Sequence, residues 1–535
     1  MKVRTDIVRM YKDIHGWVGI ISGLALFVAF YAGAITMFEE PLQRWASPPS
    51  TLAAPVPLER TPELVRAVLA KHPEAAKGYQ VNLQSGRENP ARVSWQVVGQ
   101  GGDEHGARRT FYAALDADER LQVEERGPSP VAQFIDVLHQ QVGLMLDHEI
   151  AMPIMGAIAL LYAIALVSGV IVLLPSLVRD LFALRSGKNV KRMWLDVHNL
   201  LGVFSLPFHI VMALTAVVFA FHDQFYDAQE ATFAYSEERR AVAAPGRMIP
   251  VAPASPSAVV RSLSREVPGF VPVALAYGEG RDGAPTLRAM GRDPRYGLRG
   301  PTYTVAALDP ASGMVKDTDY FGGRQDGWGA TVTSFFALHF GSFGGVGVRW
   351  AYFLLGLGGA FLFYTGNLLW VESRRRRERK AGAVRQTRST RVLGALTVGV
   401  PLGCMAGISV TVAAAKPLGA GATEGIHSLI YHAVFAGFVF WALLRGSARG
   451  AVELLPVTAL AMLSIPFATL LFASAHPAEV VLVDLVAGAA ALGLVAAWTA
   501  TRRRVGAGPR DSVWSDRRAA AQPESGQTQT PATKG

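Results

Sequence analysis

The chain has 535 residues, half of them hydrophobic, a formal net charge of +10 and one cysteine. That length exceeds one domain, and that apolar a composition excludes a wholly soluble globule. The lone Cys404 excludes internal disulfides and any Cys-x-x-Cys-His attachment of haem c.

Crossing a hydrocarbon core of roughly 30 Å takes about 20 helical residues. Apolar runs of that length occur near 17–38, 153–175, 200–221, 350–371, 392–415, 426–444, 451–474 and 478–499, which predicts eight spans. The first has basic flanking residues but runs into Glu39-Glu40 without a small-residue cleavage site, so it reads as a retained helix. Basic residues gather before span one (Lys2, Arg4, Arg9, Lys12), between spans two and three, after span four (Arg374 to Lys380), after span six and after span eight. The positive-inside rule puts all of these on the cytoplasmic side, with both termini. The basic excess is therefore a topology signal, and nucleic-acid binding is not read from it.

Two copies of one unit run from about 1 to 375. Asp13-Ile14-His15 leads into span one with Gly19 four residues on, and Asp196-Val197-His198 leads into span three with Gly202. Leu138-His139 precedes span two, followed by Gly143, and Leu338-His339 precedes span four, followed by Gly344. Between spans one and two, a helix starting at Thr61-Pro62-Glu63 is followed by alternating segments at Tyr79–Leu83, Arg92–Val97 and Thr110–Leu115, read as antiparallel strands. Between spans three and four the order returns: a helix from Pro256, then strands near Val271–Tyr277, Thr286–Met290 and Tyr303–Leu308. The modules end alike, Ala113-Ala114-Leu115-Asp116 and Ala306-Ala307-Leu308-Asp309. Two small α+β domains are expected, one per copy. Residues 391–500 contain no such unit and read as an appended four-helix block, and 501–535 as a disordered tail.

The Asp-x-His-x-x-x-Gly and Leu-His units, with the helix-then-strands modules, resemble the PepSY-associated transmembrane family over about residues 5–375. Its members include bacterial inner-membrane ferric-siderophore reductases. The resemblance implies an α-helical membrane protein with two small periplasmic α+β (PepSY-like) modules and an internally duplicated four-helix haem core; the four further transmembrane helices after Arg391 depart from the family's minimal pattern, and nothing carries over to them. The expected division is span one to 38, module one 39–150, span two 151–178, a cytoplasmic loop 179–195, span three 196–222, module two 223–335, span four 336–372, a basic linker 373–390, then block and tail. Two haem b groups, an Fe(III)-siderophore as acceptor, and quinol or a cytoplasmic electron donor are implied.

The histidines give that expectation its chemistry. Spans one and three start on the same side, so His15 and His198 lie at one depth; His139 and His339 lie together at the other. A pseudo-twofold axis brings each pair face to face, as a bis-histidine iron porphyrin requires. Gly19 and Gly202 leave room for a macrocycle on the same helix faces, although helix packing through Gly19-x-x-x-Gly23 is the competing explanation. Asp13 and Asp196 are candidates either to hold an imidazole tautomer or to cap a helix. His209, eleven residues past His198 and about 16 Å deeper on a straight helix, is an alternative ligand or a haem contact, since an ionisable group in mid-membrane is a functional candidate. His148 and His222 sit at membrane edges and could replace a periplasmic ligand. His427, His432 and Glu424 form a weaker polar candidate. His72 and His105 look solvated, and His476 caps a turn. Trp17, Trp45, Trp194, Trp328, Trp350 and Trp370 read as an interfacial belt, with a substrate surface the alternative for Trp328. No residue is assigned a catalytic role, and no Rossmann fingerprint for nicotinamide occurs. Two rival classes remain: a haem-free protein binding or regulating a periplasmic peptidase or envelope partner, and a transporter built on the appended helices, for which a paired charge is the missing feature.

Overall fold

The computed structural model describes residues 4–98, 108–177, 190–224, 253–280, 283–300, 302–317, 320–381, 386–472, 478–508 and 513–515. His105, His476, most of the loop 179–195, the first part of module two and most of the expected tail lie outside them, although the last helix runs on through residue 507, past the 501 at which a disordered tail is expected to begin.

The predicted apolar runs are helices. They are α1 (Thr5–Thr36), after which α2 (Glu39–Ala46), α3 (Thr61–Lys71) and α4 (Val131–Gln140) precede α5 (His148–Leu173). The third run is α6 (Val190–Phe204) with α7 (Leu206–Ala220); beyond α8 (Pro256–Glu266) and α9 (Gly327–Phe340) come α10 (Gly345–Lys380), α11 (Arg388–Leu418), α12 (Glu424–Phe472) and α13 (Ala478–Ala507). Among the described residues six of these are long and apolar enough to cross a membrane, and the bent pair α6–α7 is a seventh when taken as one broken span.

The 49 residues of α12 would extend about 74 Å if straight, more than twice a hydrocarbon core. They are broken at Gly446, whose φ of 76° and ψ of 169° leave the helical region. Trp441 Nε1 donates to Glu453 Oε2 at 2.8 Å although twelve residues separate them, so the chain turns back on itself. Counting α12 as two antiparallel passes gives the eight predicted crossings of a multi-pass membrane protein.

Span three departs from expectation. It was expected to be continuous, but a 68° bend separates α6 from α7. Pro207 sits in the first turn of α7, where it lacks an N–H and its ring crowds the turn before it. The straight-helix estimate of His209's depth therefore fails.

The strands are β1 (Gly78–Asn82), β2 (Val93–Val98), β3 (Arg108–Leu115), β4 (Leu121–Glu125), β5 (Val271–Glu279), β6 (Pro285–Arg292) and β7 (Thr304–Leu308). They form one seven-stranded antiparallel sheet in the order β4-β3-β2-β1-β5-β6-β7, not two separate sheets. The first strands of the two copies meet at the centre, with Tyr79 opposite Tyr277 and Val81 opposite Leu275. The amphipathic helices α3 and α8 each bury a leucine, Leu64 and Leu263, into the two hydrophobic cores that flank this junction.

In the appended block, Gly399, Gly403 and Gly407 lie four apart on α11. A Cβ at any of them would stand 2.8–3.0 Å from Ala442, Phe438 or Tyr431 of α12. Small residues at this spacing let helix backbones approach closely in lipid. Trp45, expected in an interfacial belt, is instead fully buried, and its Nε1 donates to Thr469 Oγ1 and Asp484 Oδ1, both at 3.1 Å.

Candidate functional site

His15 on α1 and His198 on α6 come together with ring centroids 6.3 Å apart and planes at 71°. Both lie well inside helices, so neither Asp13 nor Asp196 is an N-cap. Nor does either aspartate hold a ring: Asp13 is exposed, and Asp196 is buried in an ion pair with Arg192 at 3.1 Å. The groups that hold the rings come from the far ends of the partner spans. His15 Nδ1 lies 2.9 Å from Ala165 O and 3.4 Å from Ser168 Oγ on α5. His198 Nδ1 lies 3.0 Å from Thr365 Oγ1 on α10. Each hydroxyl is followed by a glycine that leaves space for the ring: a Cβ at Gly169 would stand 3.0 Å from His15, and one at Gly366 3.3 Å from His198. Ser168-Gly169 and Thr365-Gly366 are thus one repeated feature, a sequence signal that the histidine pattern alone did not pick out.

His139 and His339 lie not on the spans but on the short helices α4 and α9 that precede them. Their ring centroids are 6.1 Å apart with planes at 34°. His139 Nδ1 lies 2.8 Å from Ala29 O of α1, and His339 Nδ1 lies 2.8 Å from Thr215 Oγ1 of α7. A Cβ at Gly33 would stand 2.7 Å from His139 Nδ1, so only glycine admits the ring there.

These contacts determine where each ring carries its proton. Ala165 O and Ala29 O can only accept. Thr365 and Thr215 donate their own hydroxyl protons to Leu362 O and Val211 O, and so accept from the imidazoles. All four neutral rings therefore carry the proton on Nδ1 and the lone pair on Nε2, the form that ligates a metal. No hydrogen bond to any of these four Nε2 atoms occurs among the described residues.

The separations suit one iron between each pair. With a metal–imidazole bond of about 2.0 Å and a ring nitrogen about 1.1 Å from the ring centre, two imidazoles on opposite faces of one iron stand roughly 6.2 Å apart, centre to centre. The site also has room: a Cβ at Gly19 would meet nothing within 4 Å, and one at Gly202 only Leu362 at 3.8 Å. A cavity of about 890 Å³ borders His139, His339, Tyr162, Phe219, Trp328 and Arg349, within the range of small-molecule and cofactor pockets. His148 and His222 line the same cavity. His222 Nδ1 lies 2.6 Å from Phe219 O. Trp328, 76% exposed, stands at the cavity's edge. The cavity also has an acidic margin of Glu39, Glu40 and Asp136, with Arg349 3.6 Å from Glu40. Burial, then the nearby Asp136 and Glu40 carboxylates, push the Glu39 carboxyl up to about 7.

The family described as PepSY-associated TM region matches residues 13–373, well over half of the chain. The chain belongs to that family. The PepSY-associated TM region contains all four paired histidines, the sheet and the cavity, and it ends before α11. A comparison with curated proteins finds no match.

His209 is fully buried within the PepSY-associated TM region. Its Nδ1 lies 2.5 Å from Tyr162 OH, and its ring packs among Phe30, Phe208 and Phe363. No second histidine ring lies against it among the described residues. Outside the matched region, His427 and His432 have different partners. The first is buried against Phe134; the second reaches Gly143 O. His72 packs at a tilt against Trp95 beside Glu74.

Proposed function

We propose that the protein is a di-haem b electron-transfer protein of the bacterial inner membrane. It takes electrons from quinol or a cytoplasmic donor at the His15/His198 end and reduces a periplasmic acceptor at the end that carries the sheet. The family resemblance names the acceptor class as Fe(III)-siderophore, whose iron is released as Fe(II) because hard oxygen donors hold the reduced ion far less well.

One observation carries this reading: two pairs of imidazoles, each at the spacing of a shared iron, with every Nδ1 donating and every Nε2 left as the ligating nitrogen. A bound iron porphyrin supplies one-electron exchange, at a potential set by its axial ligands and their surroundings. The residues around the rings do the rest. Ala165, Thr365, Ala29 and Thr215 fix ring orientation and raise ligand basicity by accepting from Nδ1. His15 and Ala29 are fourteen residues apart on α1, about 21 Å at 1.5 Å per residue, so the two sites are separated by about two-thirds of a hydrocarbon core. Phe30, Tyr162, Phe208 and Phe363 pack edge to face in one aromatic cluster, and Phe30, Tyr162 and Phe208 also border the cavity.

The test is a haem count with a dithionite-reduced minus oxidised spectrum on purified protein. Two b-type haems per chain are expected. A preparation from haem-replete cells without a b-type band would overturn the proposal and favour the haem-free binding role.

A further inference from the structure

The appended helices α11–α13 lie outside the family match, yet they pack along the core, and two of their contacts bear on α2 and on the turn after α4. One is Trp45. Lys416 Nζ donates to Trp45 O at 2.7 Å and stands 4.1 Å from the indole centre, while Asp484 accepts from the indole N–H. Lys416 and Asp484 are thus gathered around one side chain, as an anchor.

The other contact lies directly behind His139. Helix α4 ends at Gln140, and the chain reverses through Val142 (φ 49°) and Gly143 (φ 74°). A β-branched residue in the left-handed region is a conformational outlier. After His339 the corresponding reversal uses Gly341 at φ 59°, which has no Cβ to clash. The turn behind His139 therefore needs holding from outside in a way that its counterpart does not.

Helix α12 supplies that hold. His432 Nε2 lies 3.2 Å from Gly143 O, and its Nδ1 lies 2.8 Å from Ser428 O and 3.2 Å from Ser428 Oγ. Gly143 O can only accept, so this contact is a hydrogen bond in the Nε2–H form of the ring, with Nδ1 then accepting from the Ser428 hydroxyl. One residue earlier, buried Tyr431 packs its ring edge-on to Phe134 of α4, 5.8 Å between centres, and its hydroxyl lies against Gly143.

We propose that α12 is a positioning device for His139: His432 and Tyr431 clamp the Val142–Gly143 turn and so fix the direction in which His139 presents Nε2. The clamp itself is independent of cofactor; its consequence for a bound iron rests on the di-haem reading.

The experiment uses the full chain in detergent and compares wild type, His432→Phe, His432→Gln and Lys416→Met. Hydrogen exchange is followed at the Gly143 and Leu144 amides, which donate to Leu138 O and Gln141 O. His432→Phe keeps a ring but loses the donor, and exchange there rises roughly tenfold, the change expected for one lost hydrogen bond; His432→Gln restores protection. Lys416→Met cuts the other anchor and leaves these amides at the wild-type rate. In haem-loaded protein, His432→Phe shifts the low-spin EPR signal and the potential assigned to the His139/His339 pair and leaves the His15/His198 pair unchanged. Adding Val142→Gly, which relieves the left-handed strain, brings that signal back toward wild type. Unchanged exchange in His432→Phe, or an equal rise in Lys416→Met, overturns the clamp. A wild-type protein without haem overturns the function proposed above, while the exchange data still decide the clamp.

Discussion

The two ends of the four-helix core hold the same pair of rings in different surroundings. At one end His15 and His198 stand at 71°, each held by a hydroxyl residue and a glycine from the far end of the partner span. At the other, His139 and His339 stand at 34° on short helices beside a cavity of about 890 Å³ with an acidic margin. Neither His15 nor His198 borders that cavity. The difference teaches that the two copies supply the paired-imidazole geometry twice and differ in access. One pair is enclosed by span against span; the other is mounted on separate elements that open toward the sheet.

The sharpest way to break this comparison is to remove one pair at a time. Paired alanine substitution of His15 and His198, and separately of His139 and His339, should each lower the haem count from about two per chain to about one, read by pyridine haemochrome, with loss of acceptor reduction in both. Loss of both haems in either variant would show that the ends are not independent. A smaller effect separates the ends by packing. In Gly33→Ala the new Cβ stands 2.7 Å from His139 Nδ1, whereas in Gly366→Ala it stands 3.3 Å from His198 Cε1. Overpacking of this kind costs about 1–3 kcal/mol where nothing can give. Gly33→Ala should therefore lose haem several-fold more readily during size-exclusion chromatography than Gly366→Ala. The smallest effect concerns the acidic margin. Glu39, raised from 4.5 to about 7, keeps its proton in the folded state across a window where the unfolded chain has released it. Stability therefore falls as pH rises from about 4.5 to about 7, and levels off above that. Thermal unfolding in detergent should show this slope in wild type, and Glu39→Gln should flatten it.

Much of this was legible from the residues. Eight apolar runs gave the passes, and matched Asp-x-His and Leu-His units gave the pairs, because repeat symmetry turns sequence offset into spatial opposition. The break at Pro207 was missed, although proline interrupts a helix and its position, equivalent to Leu24 in the unbroken first copy, has no counterpart proline. The partners of the four Nδ1 atoms were not legible. They lie 110 to 167 residues away on other helices, and carbonyls such as Ala29 O and Ala165 O carry no side-chain signature. Nor was the joining of β1 to β5, because two edge strands of similar composition pair or stay apart according to where their modules are held. Trp45 shows the same limit: an indole near a span boundary reads as interfacial until a neighbouring helix covers it.

That junction of β1 and β5 has a mechanical consequence. Five residue pairs, from Gly78 with Gly278 to Asn82 with Ala274, tie the copies together outside the helices. A strand left bare would invite foreign pairing; here each copy satisfies the other. Neither half can swivel against its twin without unzipping that seam, so the gap between facing imidazoles is gauged in part by a ruler of backbone hydrogen bonds that never touches them.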